Sequence, residues 1–103
     1  MDFIAELLFK TTEVGGRKTP AQSGYRPHIK FDFDEMLTSG RQIYINQKIV
    51  FPGDTVSAEI TILATEHFAN KLEVGMPFTF YEGAKVIGTG TILDITNLKL
   101  LKK

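Results

Sequence analysis

The sequence contains no cysteine, carries no net charge and has no long run of apolar residues. Without cysteine there are no disulfides, no thiol catalysis and no zinc–thiolate sites. Twelve basic residues balance twelve acidic ones, so no overall electrostatic field attracts the chain to nucleic acid or to a membrane surface. No apolar stretch approaches the ~20 residues of a membrane span. The N-terminus also lacks the basic and apolar regions of a signal peptide. These absences predict a soluble, cytoplasmic protein.

The remaining pattern is that of β-strands in one domain, residues 1–103. Apolar and polar residues alternate over 3–9, 28–34 and 55–64, and this period of two is typical of half-buried antiparallel strands. Shorter runs place Ile43 and Ile45, and then Phe78 and Phe80, on the buried side. A last strand is expected from residue 85 to 100.

Turn residues separate these runs, and no window has a convincing helical period. The segment 63–72 is expected to be a hairpin loop. Gly88 and Gly90 are expected to allow a bend or a close approach of the backbone within the last strand. About six strands in so short a chain favour an all-β sandwich or closed barrel, because closure hides the sheet edges.

Two loop motifs combine glycine, proline and positive charge. Residues 15–20 read Gly-Gly-Arg-Lys-Thr-Pro, and residues 24–27 read Gly-Tyr-Arg-Pro. Glycine permits backbone conformations that other residues avoid, and each proline keeps the preceding residue extended. The cationic side chains of Arg17, Lys18 and Arg26 are therefore expected to project from a shaped backbone, as in a recognition loop.

These motifs, with Pro-Gly-Asp at residues 52–54 and a glycine-rich segment at 82–90, resemble the C-terminal (third) barrel domain of elongation factor Tu and related translation GTPases. The similarity runs in the family's order and spacing from about residue 2 to 97. It implies a six-stranded closed antiparallel Greek-key barrel, here as a stand-alone chain.

The resemblance also implies candidate binding residues. Arg17 and Lys18 match family positions near the T-stem of transfer RNA, and His28 matches a polar position that faces RNA. Glu82 and Gly83 match a hairpin tip that approaches the ribose-phosphate backbone. A-form RNA is recognised there through its shape and 2′-hydroxyl groups.

The sequence departs from the family at this hairpin. Tyr81 stands where the family usually has arginine, Ala84 replaces a glycine, and Lys85 replaces an arginine and so loses its bidentate geometry. Tyr81 and Arg26 complete the predicted RNA-binding or partner-binding set.

Structural roles compete with binding for several of these residues. Arg26 is expected either to touch RNA or to hold the barrel by pairing with a carboxylate or loop carbonyls. Tyr25 is expected to be a packed ring with a satisfied hydroxyl rather than a stacking platform. For Arg17 and Lys18, a role as solvated loop charges and a role in binding are equally expected. Residues 82–83 are also expected to form a simple hairpin turn without a binding role.

No catalytic or cofactor-binding arrangement is predicted. The phosphate-binding motif Gly-x-x-x-x-Gly-Lys-Ser/Thr does not occur in the 103 residues, so this chain is not expected to bind GTP. His28 and His67 are expected to be surface histidines without a metal. Asp32 and Asp34 are expected on one solvated strand face with Glu35 nearby. No serine has a histidine and a carboxylate that would complete a triad, so the chain is not expected to be an enzyme.

Two kinds of function remain. The first is a protein-interaction module that docks on a translation GTPase, an exchange factor, another protein or a second copy of itself. The second is weak binding of transfer RNA or another structured RNA through Arg17, Lys18 and the hairpin at 82–83. The absence of net charge disfavours RNA as a strong ligand, because affinity for RNA depends on neutralised phosphates.

Overall fold

The computed structural model describes residues 1–103 and contains eight β-strands and two short 3-10 helices. Six strands form a closed barrel, and the two shortest, β2 and β5, pair with each other outside it. The strands are β1 (Phe3–Phe9), β2 (Ala21–Gln22), β3 (His28–Phe31), β4 (Leu37–Tyr44), β5 (Ile49–Val50), β6 (Thr55–Ile62), β7 (Pro77–Glu82) and β8 (Lys85–Ile95). The 3-10 helices are η1 (Thr12–Val14) and η2 (Leu98–Leu100).

Around the barrel the strands follow the order β1-β6-β4-β3-β7-β8, and every neighbouring pair is antiparallel. Strands β3, β4 and β6 form a meander, and the chain then crosses one end of the barrel to β7, which lies beside β3. That connection is a Greek key. The predicted all-β, six-stranded closed barrel is therefore confirmed.

The barrel interior is built largely from phenylalanine. Phe3 packs edge-on against Phe31 and Phe78, and Phe9 packs edge-on against Phe80, with ring centroids 5.1 to 6.2 Å apart. Edge-to-face contact of this kind is a favoured arrangement of aromatic pairs. The predicted inward positions of β1, β6 and β7 are all buried.

Strand β4 faces the opposite way from the sequence prediction. Gln42 and Tyr44 are buried, whereas Ile43 and Ile45 are only half-buried on the outer surface. The Tyr44 hydroxyl donates a 2.8 Å hydrogen bond to Gln42 Oε1. The apolar residues Ile43 and Ile45 misled the prediction, because the core accepts the Gln42–Tyr44 pair, which forms its own hydrogen bond.

Three strands are shorter than predicted. Strand β6 ends at Ile62, so Ala64 lies beyond it and is only half-buried. Strand β3 ends at Phe31, so Phe33 is 47% exposed and Asp32 and Asp34 lie in the following turn rather than on one strand face. Strand β8 ends at Ile95, and the chain then forms η2 instead of remaining extended to residue 100.

The segment 63–76 is not a hairpin loop, contrary to the prediction. It crosses one end of the barrel, because it joins β6 to β7 and these strands are not neighbours. Phe68 and Leu72 from this segment are completely buried and close that end.

No helix of the structure is long and apolar enough to cross a membrane.

Candidate macromolecular-interaction site

The loop at residues 15–20 has a defined backbone. Gly15 ends η1 with a φ of 95°, in the left-handed region that glycine adopts without steric cost. The Gly16 amide donates a 2.8 Å hydrogen bond to the Thr11 carbonyl, and a Cβ at Gly16 would lie 2.2 Å from the Lys10 carbonyl oxygen. The Thr12 hydroxyl donates to the Arg17 carbonyl at 2.7 Å. Both glycines are thus required by the tight turn of the backbone that leads into Arg17.

Arg17 ties this loop to the β7–β8 hairpin. Its Nη1 donates to Glu82 Oε2, and the Tyr25 hydroxyl donates to the same carboxylate oxygen. The guanidinium carbon of Arg17 lies 4.7 Å from the centre of the Tyr25 ring, within cation–π distance. Nε of Arg17 also donates to the Thr19 carbonyl at 3.2 Å. We call Arg17, Tyr25 and Glu82 the Arg17 cluster.

The electrostatics of the Arg17 cluster favour an ionised Glu82 and a neutral Tyr25. Partial burial opposes ionisation of Glu82, but the hydrogen bonds from Tyr25 and Arg17 outweigh it and hold the pKa of Glu82 below its ordinary value. Burial and, to a smaller extent, the hydrogen bond to Glu82 raise the pKa of Tyr25. Burial alone would lower the pKa of Arg17, but its hydrogen bonds with Glu82 and Tyr25 reverse the direction and raise it.

The loop and the hairpin together line an open polar depression of about 250 Å³. Its lining has no apolar side chain and consists of Arg17, Lys18, Thr19, Glu82 and Lys85. Lys18 and Lys85 form no ion pair, in contrast to Arg17. We call this surface the loop–hairpin site.

The other hairpin residues of the predicted set lie beside it. Gly83 has a φ of 60° at the tip, with nothing within 4 Å of the position where a Cβ would stand. Tyr81 is the cross-strand neighbour of His28, which is exposed on β3. The structure therefore brings the loop residues and the hairpin together and places His28 next to that hairpin through Tyr81.

Arg26 does not have the structural pairing that was one of its two predicted roles. Its side chain is exposed and forms no ion pair. It lines a separate groove of about 110 Å³ with Arg41 of β4 and Thr61 of β6. The structural pairing belongs to Arg17 instead. Arg41 belongs to no motif in the sequence, and it comes beside Arg26 only through the pairing of β4 with its neighbours.

Tyr25 has the predicted structural role. Its ring lies against the core, 6.5 Å from the Phe9 ring, and its hydroxyl is satisfied by Glu82.

A second polar pair lies at the other end of β3. His67 Nε2 is 2.7 Å from Asp34 Oδ2, and Asp34 Oδ1 accepts a 2.9 Å hydrogen bond from the Met36 amide. The hydrogen bond from the Met36 amide and, to a smaller extent, the one with His67 hold the pKa of Asp34 below its ordinary value. His67 is thus joined to a carboxylate, which the sequence did not show. No group of three His, Cys, Asp or Glu residues is arranged to hold a metal ion.

Comparison with known proteins connects the barrel to translation. No family model matches the chain. The chain is 36% identical over 98 residues to elongation factor Tu of the apicoplast of Plasmodium falciparum. The alignment covers 92% of this chain and 23% of that protein.

The chain is homologous to a domain of elongation factor Tu. Its closed six-stranded barrel fits the C-terminal domain of that factor, so the resemblance inferred from the four motifs is confirmed. The chain spans about a quarter of the length of this curated relative, and the match is of domain size. In this barrel two of those motifs, residues 15–20 and 82–90, meet in the loop–hairpin site.

Proposed function

We propose that this protein is a non-catalytic interaction module of the cytoplasm, which docks on a translation GTPase, an exchange factor or another protein through the loop–hairpin site. One observation carries the proposal. The Arg17 cluster fixes the loop to the hairpin and leaves Lys18 and Lys85 unpaired on the same surface. Binding then orders few additional groups, and the cost of association is correspondingly small.

The mixed charge of the site favours a protein partner over RNA. Glu82 stands among the cations, and the whole chain has no net positive charge. A protein partner can place a carboxylate opposite Lys18 or Lys85, and such complementarity sets the specificity and rate of association. An RNA backbone would instead meet the Glu82 carboxylate with like charge.

Calorimetric titration against purified translation GTPases and their exchange factors tests the proposal. We expect one of them to bind with a dissociation constant of roughly micromolar size, as for a small transient interface. Lys18→Glu combined with Lys85→Glu should weaken binding about tenfold, or ~1.4 kcal/mol, because two attractive charges become repulsive. Lys48→Glu, which makes the same charge reversal at one position away from the site, is the control. Equal binding by the double variant and the wild type would refute the site.

A second candidate function is weak binding of transfer RNA by the same surface. Lys18, Lys85 and the open tip at Gly83 favour it, because glycine lets a ribose-phosphate backbone approach closely. Binding of a transfer-RNA mixture at about 50 and 200 mM salt should then fall steeply with salt. Lys18→Ala with Lys85→Ala should reduce it at low salt, whereas Lys48→Ala should not. No binding at low salt would exclude this candidate.

A further inference from the structure

Residues 98–103 follow the barrel as a tail that is fixed to the segment 63–76. The Asn70 amide donates to the Lys99 carbonyl at 2.9 Å, the Leu72 amide to the Leu100 carbonyl at 2.8 Å, and the Lys102 amide to the Leu72 carbonyl at 2.7 Å. Leu100 is completely buried. The backbone of this tail is therefore held in place as far as Lys102.

The tail and the crossing segment form two adjoining depressions that share Asn70. The first has a volume of about 370 Å³, and its lining includes Phe33, Lys71, Met76 and Lys102. The second has a volume of about 560 Å³ and is lined by Ala69, Leu98, Lys99 and Lys103 besides Asn70. We call the two together the tail groove.

The tail groove exposes apolar side chains on a rigid base. Leu98 is 69% exposed and Phe33 is 47% exposed. Phe33 stacks on Phe31 at 5.9 Å and meets Phe68 edge-on at 6.2 Å, so its position is set by the core. Met76 packs against the same core. Leu98 and Phe33 thus present apolar surface next to the lysines of the tail groove.

The charge around this surface is positive and largely unneutralised. Lys71, Lys99 and Lys103 form no ion pair, and Lys102 has only a 3.9 Å contact with Glu73. Asp34, the acidic residue in the lining, is already engaged by His67. Incoming negative charge would therefore meet four lysines and one carboxylate in the lining of the tail groove.

We propose that the tail groove is a second binding surface, which takes an acidic segment of a partner protein that carries leucine or phenylalanine side chains. The acidic residues pair with the lysines, and the apolar side chains cover Leu98, Phe33 and Met76. The proposal goes beyond the function proposed above, because the tail groove shares no residue with the loop–hairpin site. A peptide supplies both kinds of group from one short stretch of chain, whereas RNA supplies the charge without the aliphatic side chains.

Fluorescence anisotropy with a labelled peptide that alternates acidic residues with leucine and phenylalanine tests this proposal. We expect saturable binding that weakens as salt is raised, because exposed ion pairs are screened. A neutral peptide with glutamine for glutamate, and an acidic peptide with serine for the apolar residues, should each bind at least about fivefold more weakly, since each lacks one half of the recognition.

Variants locate the binding. Lys71→Glu with Lys99→Glu should weaken the acidic apolar peptide about tenfold, and Leu98→Ser should weaken it severalfold without unfolding an exposed position. Lys48→Glu should leave it unchanged, and circular dichroism should show that each variant is folded. The proposal is overturned if the lysine variants bind as well as the wild type, if the serine peptide binds equally, or if a transfer-RNA mixture or anionic lipid vesicles compete for the groove more strongly than the peptide does.

Discussion

At the scale of the residue, Glu82 makes the loop–hairpin site depend on pH. The pKa of Glu82 is lower in the folded protein than its ordinary value, so the carboxylate contributes stability above that value, about 4.3. The contribution is lost as the pH falls towards the folded pKa. We predict that the wild type loses stability below about pH 4.5 and that Glu82→Gln flattens this part of the profile.

The effect should be below about 1 kcal/mol, because the Glu82 side chain is 39% exposed and the surrounding water screens the pair. Urea unfolding at a series of pH values measures it. Glu13→Gln, an exposed glutamate without an ion pair, is the matched control. A profile for Glu82→Gln that follows the wild type through this range would show that the carboxylate contributes nothing.

A second residue-scale prediction concerns the polar pair inside the barrel. Gln42 is completely buried and its Nε2 has no hydrogen-bond partner, while its Oε1 accepts from Tyr44. Gln42→Met alone leaves the buried Tyr44 hydroxyl without a hydrogen-bond partner and should lower the unfolding free energy by about 1–3 kcal/mol. Gln42→Met with Tyr44→Phe removes both partners and should be nearly neutral or stabilising. Urea unfolding of the four members of this cycle measures the coupling, and additive losses would contradict the prediction.

The sequence indicated several residues of the loop–hairpin site, but not the contacts between them. The motifs singled out Arg17 and Glu82 separately. Their contact joins positions 65 residues apart, which only the closed barrel brings together. The same reason explains why His67 was not assigned to Asp34, and why the structural pairing was sought at Arg26 instead of Arg17.

At the scale of the element, alternation predicted where strands lie better than which way they face or where they end. Strands β1 and β6 follow the predicted phase because one side of each is apolar throughout. In β4 the inward side carries Thr38, Gly40, Gln42 and Tyr44, so the apolar alternation pointed outwards. Strand β8 ends at Ile95. Just beyond it, the Asp2 carbonyl accepts hydrogen bonds from the Thr96 and Asn97 amides, which interrupts the regular strand pairing.

The glycines of β8 give an element-scale prediction. A Cβ at Gly88 would lie 2.4 Å from the Leu8 carbonyl oxygen and 2.5 Å from the Phe80 ring, which confirms the close approach expected at this position. Gly88→Ala should therefore cost about 1–3 kcal/mol by overpacking. Thr89→Ala, at the exposed neighbouring position, should cost less than about 1 kcal/mol. Thermal unfolding of both variants compares them, and equal losses would mean that the strand relaxes around the methyl group.

The anchored tail, residues 98–103, gives a second element-scale prediction. Leu100 fills the end of the barrel that the crossing segment closes. Leu100→Ala should cost about 2–5 kcal/mol if the surroundings do not collapse, and less if only the tail detaches. Hydrogen exchange distinguishes the two. Faster exchange confined to the amides of Asn70, Leu72 and Lys102 would show local detachment, whereas faster exchange throughout the barrel would show that the tail belongs to the cooperative core.

At the scale of the whole molecule, the topology determines how the chain folds. Strand β1 pairs with β6 and with β8, so the barrel closes only when the first and last strands meet. Closing such loops costs entropy before the contacts repay it, and all-β proteins dominated by distant pairings fold in milliseconds to seconds.

We therefore predict a single refolding phase on the order of milliseconds to seconds, with the logarithm of its rate falling linearly as urea rises. Stopped-flow tyrosine fluorescence measures it, because the chain has three tyrosines and no tryptophan. Tyr25 and Tyr44 lie in or against the core and report on packing, and far-ultraviolet circular dichroism reports on the strands. If the barrel closes as one unit, the two probes give the same rate. A tyrosine signal that lags behind strand formation would mean that the sheet forms before the core packs, and that the barrel does not fold in one step.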